Sequence, residues 1–347
     1  MALKAKEIAG ILGISQATLS LVVNNKPGIS EKTRNRVIQE LRDRGFDYLL
    51  SDQTRKDMEP AGEMRSIGFI IYTVAGDLLG YNSFFQFIME GLESRARKHG
   101  YNICFVTVRK ENIQYDIQHI KNAGYCGCAI FATEMHEDDI VHFEGLGIPL
   151  VLLDNYFNTY SLNSVKLNNQ QGTYLAVRNL IEHGHKKIGY LRSGLNINSF
   201  EERYASALNA MRGFGIDDPA QYTYTIGYRT EDAAKGMKKL LDEGVPLPTA
   251  FLADNDIVAA GAMLACHEAG VKIPEELSFI GFDDRPECIL CSPQLSTIRI
   301  SRQYFGAEAI EVLIRMLNGE TNIQMKIEIG TEMVERGSVS DLAQGEK

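Results

Sequence analysis

Between residues 66 and 340, short apolar runs alternate with segments of helical period. The runs cover 67–72, 101–108, 128–132, 149–153, 187–192, 250–253 and 277–282. Runs that short and that apolar suit strands buried on both faces, the condition of a parallel sheet. Amphipathic stretches at 84–99, 172–183, 201–214 and 256–269 fall between them, the first ended by Gly100. Parallel strands need crossovers, and helices supply them. The body is therefore read as α/β, with ligand sites outside the carboxyl ends of strands, at a switch point or between lobes.

The first 48 residues differ in kind. Leu3, Ile8, Ile11 and Leu12 give one apolar helical face, broken by Gly13. Ser15 is placed to cap a second helix over 16–24, with Leu19, Val22 and Val23 inward. Pro27-Gly28 punctuates the chain, and Ser30 caps a third helix with Val37, Ile38 and Leu41 inward and Gly45 as its stop. Two short helices joined by a glycine-containing turn, with a third behind, form a helix-turn-helix. The outward residues of the second helix, which lies in the major groove in such a unit, are Gln16, Ala17, Ser20, Leu21 and Asn24. Glutamine reads adenine through two bonds; alanine and leucine offer only apolar contact, as to a thymine methyl. Thr18, Ser20, Asn24, Ser30 and Thr33 carry short hydroxyls or amides suited to phosphate. A three-helix bundle that packs on a protein partner is the alternative.

Charge follows the same division. The head holds eight Lys/Arg against five Asp/Glu, a net +3, which leaves −12 for the rest of a chain of net charge −9. That balance excludes a protein that coats nucleic acid, but allows a small basic reader on an acidic body. With 347 residues, 44% hydrophobic and 23% charged, the chain falls outside the disordered, collagenous and disulfide-miniprotein classes. No run of 18 apolar residues exists, and residues 1–7 lack an apolar signal core. These features predict a cytoplasmic protein with no membrane contact, and its six cysteines read as reduced thiols.

The stretch Ile8-Ala9…Gly13-Ile14-Ser15-Gln16-Ala17-Thr18-Leu19-Ser20-Leu21-Val22-Val23-Asn24…Ile29-Ser30-Glu31-Lys32-Thr33-Arg34 closely resembles the headpiece of the lactose-repressor (LacI/GalR) family of bacterial transcription regulators. In that family the two residues before the threonine read bases; here they are Gln16 and Ala17. Leu21 stands where the family commonly has arginine, which implies an unusual operator half-site. The family's hinge helix, whose leucine wedges into the minor groove, lacks its proline and its Ala-Arg pair here. Leu49 or Leu50 is the substitute wedge, or residues 49–65 are a plain linker.

Polar residues gather where strands of the body end: Asp154-Asn155, Asp254-Asn255-Asp256 and Asp283-Asp284-Arg285, with Arg203 one turn into its helix. Such acceptors and forked donors suit a hydroxyl-rich ligand, although Asp and Asn at these junctions also serve as helix caps. Family motifs recur in order, among them Leu180-Ile-Glu-His-Gly184-His185, Asn255-Asp256-Ile-Val-Ala259, Pro274-Glu275-Glu-Leu-Ser278-Phe-Ile-Gly281-Phe282-Asp283-Asp284 and Val334-Glu-Arg336-Gly-Ser338. The resemblance thus spans nearly the whole chain. It implies a small all-α helix-turn-helix head (1–48) and a linker or atypical hinge (49–65). It also implies an α/β two-lobed, periplasmic-binding-protein-like (type I) effector and dimerisation domain (66–340), followed by a tail (341–347). One lobe is expected over about 66–165 and 299–321, the other over about 166–298 and 322–340. By the same resemblance Asp154, Arg203, Asn255 and Asp283 hold the effector, with Phe84 on the first lobe.

Cys126-Gly-Cys128, Cys288-Ile-Leu-Cys291 and His183-Gly-His185 lack the spacing of a four-ligand zinc site and read as structural side chains. No phosphate-cradling loop or nucleophile elbow opens a helix. The expectation is a non-enzymatic repressor, a homodimer on double-stranded operator DNA, controlled by a sugar or related polyol and needing no cofactor. The alternatives are a sensor whose head docks a protein, and an enzyme acting on a small carbohydrate or nucleoside.

Overall fold

The computed structural model describes residues 5–24, 26–43, 46, 49, 65–74, 83–321 and 323–343. Two compact units divide the chain, Met1–Met64 and Arg65–Lys347.

In the first unit, α1 (Ala5–Ile11), α2 (Gln16–Val23) and α3 (Glu31–Asp43) bury Ile8, Leu12, Leu19, Val22, Val37, Ile38 and Leu41 together. The same device starts α2 and α3. The Ser15 hydroxyl accepts from the Thr18 N–H at 3.0 Å, and the Ser30 hydroxyl from the Thr33 N–H at 3.2 Å. Arg34 of α3 reaches back to the Leu21 carbonyl (3.1 Å) and the Lys26 carbonyl, closing the end of α2 that the sequence left open.

The second unit has two sheets. The first is built from β1 (Arg65–Thr73), β2 (Tyr101–Arg109), β3 (Gly127–Phe131), β4 (Leu150–Leu153), β5 (Asn163–Leu167) and β11 (Lys326–Ile329), in the order β11-β5-β4-β3-β1-β2, parallel throughout. The helices α4 (Ser83–Lys98), α5 (Ile113–Asn122), α6 (Glu137–Glu144) and α11 (Arg302–Leu317) accompany it. The second sheet is built from β6 (Ile188–Arg192), β7 (Thr223–Thr225), β8 (Ala250–Ala253), β9 (Ser278–Asp283), β10 (Ser296–Ile300) and β12 (Thr331–Val334), in the order β12-β10-β9-β8-β6-β7. Only β12 runs antiparallel, against β10. Its helices are α7 (Asn169–Glu182), α8 (Asn198–Gly213), α9 (Thr230–Asp242) and α10 (Asp256–Glu268). Every residue of β3, β4, β8 and β9 is buried, as their apolar runs demanded.

The chain crosses between lobes three times, but later than the sequence boundaries at 165/166, 298/299 and 321/322. β5 and β11 pair from Lys326↔Ser164 to Ile329↔Leu167, so both leave the first sheet at one level, and the chain crosses beside Asn168 and Gly330. Residues 322–329, assigned to the second lobe from sequence, thus belong to the first. β10 extends to Ile300 in the second sheet, which moves the remaining crossing to Ser301.

α4 and α11 cross closely through two glycines. A methyl on Gly91 would overlap the Gln303 carbonyl, and one on Gly306 the Ile88 carbonyl. Backbone atoms cannot retreat as a flexible side chain can, so Gly306→Ala should destabilise the first lobe by about 1–3 kcal/mol. Urea unfolding measures this, and an unchanged midpoint would refute the close crossing.

Candidate functional site

A cavity of about 50 Å³ lies between the lobes. Phe85, Phe131, Thr133 and Asp154 line it from the first lobe; Ile197, Ser199, Phe200, Arg203, Tyr228, Asn255, Asp283 and Arg285 line it from the second. Asp154 follows β4 and Asp283 ends β9, with φ of 67° and 108°. Aspartate tolerates this left-handed region better than most residues, at some cost. The backbone therefore turns sharply at both positions.

Arg203 occupies the floor. Its Nε donates to Asn169 Oδ1 (2.9 Å), Nη1 to the Asp254 carbonyl (2.7 Å) and Nη2 to Asp283 Oδ1 (3.2 Å). The guanidinium carbon stands 3.7 Å from the Phe282 ring centroid. Three of its five N–H groups are thus committed, and the fork keeps donors to spare. Asn169 is held in turn by Glu202 (2.9 Å), which Lys166 pairs at 2.8 Å.

Asp154 takes the Thr133 hydroxyl at 2.6 Å. Burial pushes its carboxyl up to about 6, against the pull of Thr133 and Arg203. Burial also raises Asp283, outweighing the neighbouring Arg203, Arg285 and Arg302. Asn255 both caps and lines: its Oδ1 accepts from the Val258 N–H at 3.1 Å, which leaves the amide N–H groups as its offer to a ligand. Asp256 points elsewhere. It receives the Thr297 hydroxyl at 2.5 Å and the Arg285 N–H at 2.7 Å, and burial followed by the charge of Asp283 pushes it up to about 7.

Asp154, Arg203, Asn255 and Asp283, singled out in the sequence, thus line one cavity. The Phe84 side chain lies outside the described residues; its neighbour Phe85 supplies the ring, 5.3 Å from that of Phe131. Arg285, at the end of the strand-end cluster 283–285, lines the cavity as well, whereas sequence reasoning did not assign Phe131, Thr133, Ser199, Phe200 or Tyr228 to the site. Thr133 was findable by the rule that found Asp154, since it follows β3 as Asp154 follows β4. Tyr228 was not, because it sits between a three-residue strand and α9, where no period is legible. Burial and hydrogen bonding explain the other pairs. His185 is held by the Thr249 hydroxyl (2.9 Å) and the Ser340 carbonyl (3.2 Å), His183 meets the Asn179 carbonyl (2.8 Å), and Cys128 and Cys288 are buried.

In the head, Gln16, Ala17, Ser20 and Asn24 are exposed along α2. Leu21 is half-buried, and a Cβ on Gly28 would touch it at 3.4 Å, so this leucine lies against the turn. The hydroxyls of Thr18 and Thr33 are each paired with their capping serine, at 2.8 and 2.9 Å. Leu49 packs half-buried on the head's core, and Leu50 with the rest of the linker to residue 64 lies outside the described residues.

Native Asp154 holds its proton to a higher pH than an unfolded aspartate. Its burial is therefore tolerated fully below the unfolded value and opposes folding as pH rises through about 6. Thermal melts should show the unliganded protein losing stability from about pH 4 to 6.5 and levelling above, and Asp154→Asn should lessen that slope. Equal slopes would contradict an acid buried in this way.

Among proteins of known sequence or structure, residues 4–46 match the model of the lacI family of bacterial regulatory proteins, and residues 177–339 match the periplasmic binding protein-like domain. The HTH-type transcriptional repressor PurR of Pasteurella multocida (strain Pm70) is 27% identical over 339 residues, covering 96% of this chain and 98% of that one. The structure of the transcriptional regulator CelR in complex with cellobiose superposes with a TM-score of 0.71 at 19% identity, over 97% of this chain and all of the other. The Lac repressor dimer bound to operator and the anti-inducer ONPF gives 0.71 at 22%, over 98% and 100%. These two structures share the fold. Among the described residues, no helix is long and apolar enough to cross a membrane.

Proposed function

We infer that this chain is a transcriptional repressor of the lacI family of bacterial regulatory proteins, one that binds operator DNA and answers to a small effector held between its lobes. The observation that carries the effector half is the convergence of Asp154, Arg203, Asn255 and Asp283, from both lobes, on one cavity. An effector that touches both walls binds the closed arrangement better than the open one, and only that difference shifts a conformational equilibrium.

The chemistry of the walls supports a sugar or related polyol. Carboxylates and Asn255 take hydroxyl groups, while the rings of Phe85, Phe131, Phe200 and Tyr228 cover the C–H faces of a saturated ring. The same rings, present on both lobes, favour a second reading in which the effector is a planar heterocycle. Calorimetry with sugars and with heterocyclic bases separates the two. The cleft binds without turnover in this reading, so the effector is recovered unchanged, and the protein works in the cytoplasm beside its DNA.

Arg203→Lys keeps the charge but loses the fork. It should weaken effector binding by on the order of tenfold or more while unliganded operator binding persists. A footprint that responds normally to effector would remove Arg203 from the site.

Gln16, Ala17 and Leu21 are the residues assigned to bases, with Thr18, Ser20, Asn24, Ser30 and Thr33 at the phosphates. Gln16→Ala should cost about 1–3 kcal/mol of discrimination at one base pair of each half-site. Competition footprinting on operator variants measures it, and unchanged preference would reverse the assignment. Binding should also weaken steeply with salt, which a head docked on a protein would not show.

Two heads on a pseudo-palindromic operator require a dimer. A groove of about 750 Å³ on the second lobe runs between α9, α10 and the turn Pro286–Ile289, with Leu264, Ile289 and Leu290 exposed around it. We place a second copy there. Tyr228 lines both this groove and the effector cavity, giving the two sites a common wall. Leu264→Glu with Leu290→Glu should yield monomers in sedimentation and lose the footprint; dimers of unchanged strength would move the interface elsewhere.

A further inference from the structure

Lys166 is a charged residue inside a strand. It stands in β5, just before the chain leaves the first sheet beside Asn168, and its side chain is only 16% exposed. An ammonium so far from water needs acceptors. It has one from each lobe. Glu328, its register partner on β11, accepts through Oε1 at 3.2 Å from within the first lobe. Glu202 of α8, in the second lobe, accepts through Oε1 at 2.8 Å. The ring of Tyr156, its centroid 4.2 Å from Nζ, covers a further side. Burial works against the charge, and Glu202 outweighs it, so Lys166 holds its proton above the ordinary lysine value.

From Glu202 the contacts run on to the effector cavity. Its second oxygen accepts from Asn169 Nδ2 at 2.9 Å, and Asn169 Oδ1 accepts from Arg203 Nε at 2.9 Å. A carboxylate only accepts and a guanidinium only donates, so the carboxamide between them has one workable orientation. Asn169 and Arg203 are 3% and 4% exposed, which leaves water little access to either bond. Each bond of the run has an ionised partner, the kind that counts most away from water.

We propose that Lys166 and Glu202 are positioning residues of the effector site: an ammonium on the first lobe holds the Glu202 carboxylate, which through Asn169 sets the direction of the Arg203 fork on the second. Neither Lys166 nor Glu202 is among the described residues that line the cavity, so both act on it from outside. The contact between effector and Arg203 is thereby tied to the mutual placement of the lobes. This rests on the reading of Arg203 as an effector contact.

The test follows the Arg203 Nε–H by nitrogen-15 NMR of the full-length protein labelled at arginine, with no effector added. Arg203→Lys identifies the resonance by removing it. Lys166→Met should speed exchange of that proton with water by about tenfold or more. Glu202→Gln should do likewise, because one amide oxygen must then serve both Lys166 and Asn169. Lys166→Arg keeps the cation and should hold protection within about twofold of the native protein. Glu328→Gln removes the first-lobe acceptor of the same ammonium and should leave exchange unchanged. Each rate is read against the other buried arginine resonances of the same sample, which report general loosening. Exchange that Lys166→Met leaves as it was, that Glu328→Gln speeds as much, or that rises for every buried arginine alike would overturn the proposal. Should Lys166→Met fail to fold, Glu202→Gln decides by the same comparison. No effector is present, so a negative result leaves the effector contact itself to the footprint of Arg203→Lys, which decides it separately.

Discussion

A guanidinium buried at the centre of the second unit sets the terms for everything around it. Arg203 is 4% exposed, and an isolated charge at such depth is costly. It is stable there because three partners from three different segments meet it: Asn169 at the start of α7, the Asp254 carbonyl after β8, and Asp283 at the end of β9. Each partner fixes where its strand must stop and its helix begin. The cavity exists because those junctions are held around one side chain, and the aromatic rings of Phe282 and Phe200 complete the enclosure.

That arrangement leaves more acid than base in the cleft. Asp154, Asp254, Asp256 and Asp283 are all buried, and all are raised by burial. The four do different work. Asp256 holds the Arg285 backbone, and Asp254 accepts the Ser193 N–H at 2.6 Å, so both shape the floor. Asp154 and Asp283 adopt left-handed backbone angles to face the cavity. Asp284, next to Asp283, shares the left-handed region at φ 51°, so backbone strain gathers where β4 and β9 end.

Recognition and response are separated along the chain. The head orders α2 through caps internal to its own unit, Ser15 with Thr18 and Arg34 with the Leu21 carbonyl. In the second unit the lobes are joined where β5 and β11 leave the first sheet together at Asn168 and Gly330, with the third crossing at Ser301.

Residue type and period alone determined the three-helix head, its two serine caps and the alternation that demands parallel sheets. These depend on neighbours in sequence: a hydroxyl three residues before an N–H, an apolar run too short for a helix. The strand-end positions of Asp154, Asn255 and Asp283 were legible for the same reason. Lobe boundaries were not, because β11 belongs to the first sheet only through its pairing with β5, some 160 residues earlier. Nor was the identity of the aromatic wall. Phe85 was legible beside Phe84 as a ring at the start of its helix, but Phe131, Phe200 and Tyr228 carry no such mark, and only the packing of two lobes turns them toward one space.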